Sequence, residues 1–174
     1  MENWYILFVL QKDEEKIKSF LISKGLNAFI PKREIIFKRH GLKFLVSKPL
    51  FPNYVFIKSN LDQTAFSGLL TKFKQEKSGI LRLLIYDKDG TPALNTEEQV
   101  FLNSMLNEDN IVVPSNGYLE NQKVVIIDGP LIGYESKIKA VNKHKNYAKL
   151  LINIFDREIY IEAPLNIIKK IETS

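Results

Sequence analysis

The sequence predicts an α+β domain built on an antiparallel sheet, followed by a small all-β barrel. Segments with strand-like and helix-like spacing of apolar residues are intermixed up to residue 106, whereas every apolar segment after residue 118 has the spacing of a strand. A stretch rich in Asn, Asp, Ser and Gly separates the two regions. We therefore expect a first domain over residues 1–108, a linker over 109–118 and a second domain over 119–174.

The first domain combines three predicted helices with six predicted strands. Helices are expected after Asp13, ending at Gly25, then over Leu61 to Phe73, and again from a cap at Asn95 or Thr96. Dense aromatic and branched residues predict the strands, and Arg39-His40-Gly41 has the composition of a hairpin tip. The predicted strands are Trp4–Leu10, Phe29–Pro31, Glu34–Lys38, Leu42–Ser47, Leu50–Lys58 and Gly79–Tyr86.

Short strands separated by turns fill the second domain. Alternating apolar residues predict that one side of the third strand faces the interior of a barrel, and Gly129-Pro130 with Gly133 predicts a tight loop after the first strand. About 55 residues with this many strands fit a small barrel. The predicted strands are Val124–Ile127, Ser136–Val141, Ala148–Phe155 and Glu158–Ala163.

Composition restricts the chemistry that the chain can perform. The 174 residues are 45% hydrophobic and include no cysteine, which excludes disulfides, thiolate metal sites and cysteine nucleophiles. His40 and His144 lie among cations without a carboxylate at a suitable spacing, and no glycine-rich phosphate loop is present. We expect no enzymatic activity, no metal and no cofactor. No apolar run is long enough to cross a membrane, so a cytoplasmic monomer is expected.

The positive charge is concentrated in two segments. The formal net charge is +5, which on its own is a weak indication of a polyanionic partner. Between Lys32 and Lys48 the sequence has six Lys or Arg and one acid, and between Lys137 and Lys149 it has five Lys and no acid. Each segment is either a solvated surface or a site that neutralises phosphates.

In their order along the chain, several motifs resemble those of the NusG family of transcription elongation factors. The family consists of an amino-terminal domain that binds RNA polymerase and a carboxy-terminal KOW barrel. The resemblance covers nearly the whole chain. The motifs are Trp4-Tyr5, Phe51-Pro52-Asn53-Tyr54-Val55-Phe56, Thr96-Glu97-Glu98, and the KOW-like segments Asn121–Val124, Asp128–Gly133 and Ile152–Glu158.

Two departures from the family pattern indicate the subtype. Asn53 stands where the family usually has glycine, and Asp156 stands before Arg157 where glycine is common. Both residue types tolerate a left-handed backbone, so the fold is expected to persist. With Asn53, the segment from Pro49 to Tyr54 resembles specialised paralogues such as RfaH and LoaP, which implies antitermination of selected operons.

The resemblance also implies the partners and their binding residues. Docking on the clamp helices of RNA polymerase is assigned to Tyr5, Phe51, Pro52, Tyr54 and Phe56. Ile154 and Phe155 are assigned to a partner protein of the KOW domain, either ribosomal protein S-ten or the termination factor Rho. By pattern alone, the strand from Leu50 is better explained as core than as interface, and strand alternation allows one core face and one interface face.

Nucleic-acid contacts are expected from both basic segments, either to a nascent RNA hairpin or to the non-template DNA strand. A free-standing RNA-binding or ribosome-associated KOW protein is the alternative function. The candidate residues are Lys32, Arg33, Lys38, Arg39, His40, Lys43, Lys137, Lys139, Lys143, His144, Lys145, Asn146, Lys149 and Arg157.

Overall fold

A computed structural model of the chain describes residues 2–84 and 94–169. The chain divides into two compact units. The first unit comprises residues 1–30, 51–100 and 154–157. The second comprises residues 31–50, 101–153 and 158–174.

A four-stranded antiparallel sheet with two helices forms most of the first unit. The strand order is β2-β5-β1-β6, and the buried core includes Leu7, Val55, Ile57 and Phe66. Its elements are β1 (Asn3–Val9), α1 (Glu14–Ser23), β2 (Asn27–Phe29), β5 (Tyr54–Ser59), α2 (Gln63–Glu76) and β6 (Ile80–Leu83).

Local sequence explains where the helices begin. The Asp62 carboxylate accepts a hydrogen bond from the Ala65 amide at 2.8 Å and caps α2. A third helix, α3 (Thr96–Met105), has a reciprocal cap. The Asn95 side chain accepts from the Glu98 amide at 2.8 Å, and the Glu98 carboxylate accepts from the Asn95 amide at 3.0 Å. Asn95, and not Thr96, is therefore the capping residue.

Two sheets make up the second unit. The smaller has the order β4-β3-β7 and the larger has the order β10-β11-β12-β8-β9, in which β12 and β8 are parallel. The strands are β3 (Lys32–Arg39), β4 (Leu42–Pro49), β7 (Ile111–Val112), β8 (Ser115–Glu120), β9 (Lys123–Asp128), β10 (Ile138–Asn142), β11 (Tyr147–Ile154) and β12 (Arg157–Ile167).

The predicted fold class is confirmed, with strands and helices intermixed up to residue 105 and strands alone, apart from one 3-10 turn, from residue 111 to 167. The predicted alternation in β11 is also confirmed, since Ala148, Leu150 and Ile154 are fully buried and Ile152 nearly so. The larger sheet fits a KOW-type barrel. Ile85 and Tyr86 of one predicted strand lie outside the described residues.

Three local predictions were wrong. The strand predicted from Leu50 begins only at Tyr54, because Pro52 has no amide to donate and Asn53 has a φ of 72°. Lys137, expected within a strand over Ser136–Val141, lies instead in a 3-10 turn (Glu135–Lys137), and the strand begins at Ile138. Residues 109–118, expected to be a linker, include β7 and the start of β8. The domain boundaries themselves stay a prediction.

Candidate functional site

The segment from Phe51 to Phe56 separates core residues from a second aromatic face. Val55 and Ile57 point into the core of the first unit, and alternation therefore places Tyr54 and Phe56 on the opposite face of β5. The turn before the strand is fixed by the Glu14 carboxylate, which accepts a hydrogen bond from the Asn53 amide at 2.9 Å. Strand alternation thus gives β5 two faces, and the interface role of the second face stays a prediction.

Four rings on this second face form what we call the aromatic cluster: Phe51, Tyr54, Phe56 and Phe155. The ring centroids of Phe51 and Phe56 are 5.6 Å apart. Phe155 lies 5.4 Å from Phe51, 5.3 Å from Tyr54 and 6.1 Å from Phe56. These separations are typical of favourable aromatic pairs, so Phe155 packs against the other three rings of the cluster.

Phe155 belongs to a tight turn, residues 154–157, that is held in place by polar contacts. Phe155 and Asp156 have φ values of 58° and 55°. A left-handed backbone is strained for a bulky residue such as Phe155 and persists only where its surroundings enforce it. The Phe155 amide donates to the Glu98 carboxylate at 3.1 Å, and the Arg157 guanidinium donates to the Tyr54 hydroxyl at 2.8 Å.

The residues expected to dock on polymerase differ in exposure. Phe51 and Phe56 are buried, with 3% and 0% of their surface accessible, whereas Tyr54 is partly exposed and Pro52 is exposed. Tyr5 is 1% exposed. Only Pro52 and Tyr54 therefore offer surface directly, and the docking role of all five residues stays a prediction.

Tyr5 is integrated in the core of the first unit. Its ring stacks on Phe66 with centroids 3.9 Å apart, and its hydroxyl donates a hydrogen bond to the Leu61 carbonyl at 2.6 Å. Burial raises the pKa of the Tyr5 phenol, a hydrogen bond from Asn3 lowers it in part, and the Asp62 carboxylate adds to the increase. Tyr5 is therefore neutral and structurally fixed at physiological pH.

The β3–β4 hairpin distributes its cations over two faces. Register places Arg33 opposite Lys48 on one face, together with the Phe37–Phe44 pair, and Lys38 opposite Lys43 on the other. The predicted hairpin tip is confirmed, because His40 and Gly41 both have positive φ. Lys32, Arg39 and His40, the other predicted residues of this hairpin, are partly or fully exposed.

One open cavity in the second unit joins the two basic segments, and we call it the basic groove. Its volume is about 460 Å³. The hairpin contributes Arg33, Glu34, Ile35, Ile36, Phe37, Lys38 and Lys48, and the larger sheet contributes His144, Lys145, Asn146, Tyr147 and Glu162. Segments more than 90 residues apart in sequence thus line the same groove.

The other predicted nucleic-acid residues lie outside the basic groove. Lys143 and Lys149 line an adjacent cavity of about 450 Å³, which shares His144 and Tyr147 with the groove. Lys139 lines a third cavity, and Arg157 belongs to the turn 154–157 of the first unit.

Sequence reasoning missed several residues of both surfaces. Glu98 was recognised only as part of a helix start, and its bond to Phe155 joins positions 57 residues apart. Phe37, Tyr147 and Glu162 were not identified as groove residues. Lys48 could have been predicted from the sequence. With the hairpin tip at His40 and Gly41, antiparallel pairing of the two strands places Lys48 opposite Arg33.

The described residues contain neither a candidate metal site nor a helix that could span a membrane. Across residues 2–84 and 94–169, no three side chains of the His, Cys, Asp and Glu types are grouped closely enough to hold a metal ion. Within the part of the chain that the structure describes, every helix is too short or too polar to span a bilayer.

Comparison with known proteins gives the family. Residues 2–112, more than half of the chain, match the family model NusG, described as transcription termination factor nusG. The chain is 26% identical over 179 residues to the transcription termination/antitermination protein NusG of Rickettsia prowazekii, covering 98% of this chain and 91% of the relative. It is 24% identical over 180 residues to the protein of the same name from Bacillus subtilis, covering 98% and 99%.

A solved structure of NusG from Thermotoga maritima covers 94% of each chain with 18% identity and a TM-score of 0.46. The family-model match and the full-length relatives lead to one conclusion: this chain belongs to the NusG family of transcription termination and antitermination proteins.

Proposed function

We propose that this chain is a specialised NusG-type factor that binds elongating RNA polymerase and promotes processive antitermination of selected operons. The observation that carries the proposal is the aromatic cluster, in which one strand presents rings on the face opposite its core residues. Aromatic rings remove a large area from water at a low cost in conformational entropy, which suits the centre of a protein interface.

Tyr54 and Pro52 are the contact points available to polymerase first. Tyr54 is partly exposed, and Pro52 is exposed in a turn that Glu14 and Asn53 hold rigid. A rigid, partly exposed aromatic loses little freedom on binding, so its contact contributes fully to affinity. Docking begins at this edge of the aromatic cluster.

Full docking requires that the turn 154–157 leaves the aromatic cluster. Phe51 and Phe56 are buried, and Phe155 contacts both rings. Its removal exposes them to polymerase and frees Phe155 at the same time. Ile154 and Phe155, the residues expected to bind ribosomal protein S-ten or Rho, therefore become available when polymerase is bound.

Contacts with nucleic acid complete the proposed activity. Lysines of the second unit lie in or beside open cavities, where phosphates have access to them. Asn53, with φ 72°, takes the backbone conformation that glycine usually supplies, so this departure from the family pattern leaves the turn intact. Nascent RNA is the proposed recruiting molecule.

The proposal predicts a selective change in termination when the gene is deleted. Mapping of RNA 3′ ends should show shortened transcripts in a few operons only, restored by the wild-type chain. A matched complementation uses Tyr54→Ser, which should fail to restore readthrough, and Tyr160→Ser, an exposed tyrosine of β12, which should succeed. Unchanged 3′ ends with altered translation would instead support the ribosome-associated alternative, and a genome-wide change would indicate a general factor.

A further inference from the structure

We infer that the basic groove binds an unpaired polynucleotide segment. This deepens the nucleic-acid part of the proposed function and rests on it, because it assigns those contacts to one site formed jointly by the β3–β4 hairpin and the turn between β10 and β11. Neither basic segment forms this site without the other.

The charge of the basic groove favours a polyanion. Four cations and two carboxylates line it, which leaves a net charge of +2 with His144 neutral. The guanidinium of Arg33 is engaged by the Glu162 carboxylate at 2.8 Å. Among the described residues, Lys48 and Lys145 form no ion pair. Register places Lys38 on the opposite face of the hairpin from Arg33 and Lys48, so the ammonium groups of Lys48 and Lys145 are the ones available for phosphates.

The aromatic lining favours unpaired bases over a duplex. Phe37 is 52% exposed, and Tyr147 lines the same groove. Exposed rings stack on bases only when those bases are free of their own stacking partners. A groove of about 460 Å³ is also in the range of roughly 300–1,000 Å³ that holds small ligands. A cavity of this volume has room for an unstacked base with its phosphate.

The turn between β10 and β11 is organised before any ligand binds. The Asn142 side chain accepts a hydrogen bond from the Lys145 amide at 2.9 Å, and the Asn146 carbonyl accepts one from the Leu165 amide at 2.9 Å. Asn146 has a left-handed backbone, with φ 54°. Because the backbone that carries Lys145 is already fixed, binding a phosphate there costs little ordering.

The shared ligand chemistry, phosphate plus an unstacked base, has two sources in a transcribing complex: a loop of nascent RNA and the displaced DNA strand. Fluorescence anisotropy with the full-length chain separates them, using a labelled single-stranded RNA of about 12 nucleotides and DNA of the same sequence. Tighter binding of RNA assigns the site to the transcript, and equal binding assigns it to either strand. A blunt RNA duplex should bind at least about tenfold more weakly than the single strand.

Two lysine pairs make the matched comparison. Lys48→Ser with Lys145→Ser removes one ammonium from each side of the basic groove, and Lys137→Ser with Lys139→Ser removes the same charge outside it. The groove pair should weaken RNA binding at least about tenfold and lower the salt slope by about 1.4, the value for two phosphate contacts on a single strand. Phe37→Ser should weaken binding with an unchanged salt slope, because stacking releases no counterions.

Four results would overturn the inference. Equal losses for the two lysine pairs would indicate general electrostatic attraction, and a loss confined to the Lys137 and Lys139 pair would place RNA contacts outside the groove while leaving the proposed function intact. Displacement of RNA by polyglutamate at equal charge concentration would indicate a site for an acidic polypeptide. If the wild-type chain binds neither RNA nor DNA, the nucleic-acid part of the proposed function fails as well. The polymerase-binding part would still stand, because its affinity for elongation complexes is measured in a separate experiment.

Discussion

Replacing Phe155 with serine is expected to strengthen binding to elongating RNA polymerase about tenfold or more. The substitution removes the ring that covers Phe51, Tyr54 and Phe56 but keeps the backbone amide that donates to Glu98. Serine, like phenylalanine, has a Cβ, so the strain of the left-handed backbone at φ 58° is not relieved. The expected change therefore comes from the lost ring contacts.

The magnitude follows from the contacts that are lost. Burying a phenylalanine side chain contributes about 1.5–3 kcal/mol, and aromatic pairs add about 0.5–1.5 kcal/mol. Losing about 2 kcal/mol from the covered form raises the population of the uncovered form more than tenfold, and apparent affinity rises in proportion while that form is rare. The gain is measured as the dissociation constant for reconstituted elongation complexes.

Tyr160→Ser is the matched control for this measurement, because Tyr160 is an exposed aromatic of β12 in the second unit. It should leave polymerase affinity unchanged. A weaker affinity of the Phe155→Ser chain would mean that Phe155 itself touches polymerase. That result would remove the requirement for the turn 154–157 to leave the cluster.

Replacing Gly129 with alanine is expected to destabilise the second unit by about 3–5 kcal/mol. Gly129 has a φ of +96°, where an L-residue is strained by about 1–3 kcal/mol. An added Cβ would also lie 2.5 Å from the Ser115 Cα atom and 2.5 Å from its hydroxyl oxygen. The Ser115 hydroxyl accepts a hydrogen bond from the buried Leu131 amide at 3.0 Å, so a backbone shift would disturb that contact too.

Gly133→Ala is the control that separates the backbone strain of a positive φ from the steric clash expected at Gly129. Gly133 has a φ of +85°, but no atom lies within 4 Å of an added Cβ. Its replacement should cost only the strain, about 1–2 kcal/mol. Urea unfolding monitored by circular dichroism compares the two variants, and equal losses of unfolding free energy would contradict the packing of Gly129 against Ser115.

Periodicity predicted the elements whose stability comes from one continuous apolar face. Ile17 and Leu21 of α1 follow helical spacing, and Leu150 and Ile152 of β11 alternate as a half-buried strand should. The strand at Leu50 was predicted to begin four residues early because apolar content does not reveal a turn made by Pro52 and Asn53. The strand β7 was missed because it has only two residues, and β8 because its sequence is mostly polar; both depend on long-range pairing, with β3 and β12 respectively.

The candidate surfaces were predictable as residue types but not as assemblies. Resemblance singled out Tyr54 and Phe155 separately, and only folding brings their rings to 5.3 Å. Charge runs identified Lys38 and Lys145, but no local pattern places a hairpin of one sheet beside a turn of another. Tyr5 was assigned to the polymerase surface but is buried in the core. An aromatic residue in a buried strand has the same sequence pattern whether its ring faces the core or a partner protein.

The claim that the aromatic cluster is the polymerase-binding surface is tested most directly by adding Tyr54→Ser to the wild-type chain and to the Phe155→Ser chain. Tyr54 is partly exposed, so its replacement leaves the buried core of the first unit intact. The dissociation constant for elongation complexes should rise at least about tenfold in the Phe155→Ser chain, as expected for an aromatic hot spot. The rise should be smaller in the wild-type chain, because Tyr54→Ser also removes contacts with Phe155 and Arg157 that hold the turn 154–157 over the cluster. An unchanged dissociation constant in both backgrounds, with the fold retained, would show that polymerase binds elsewhere.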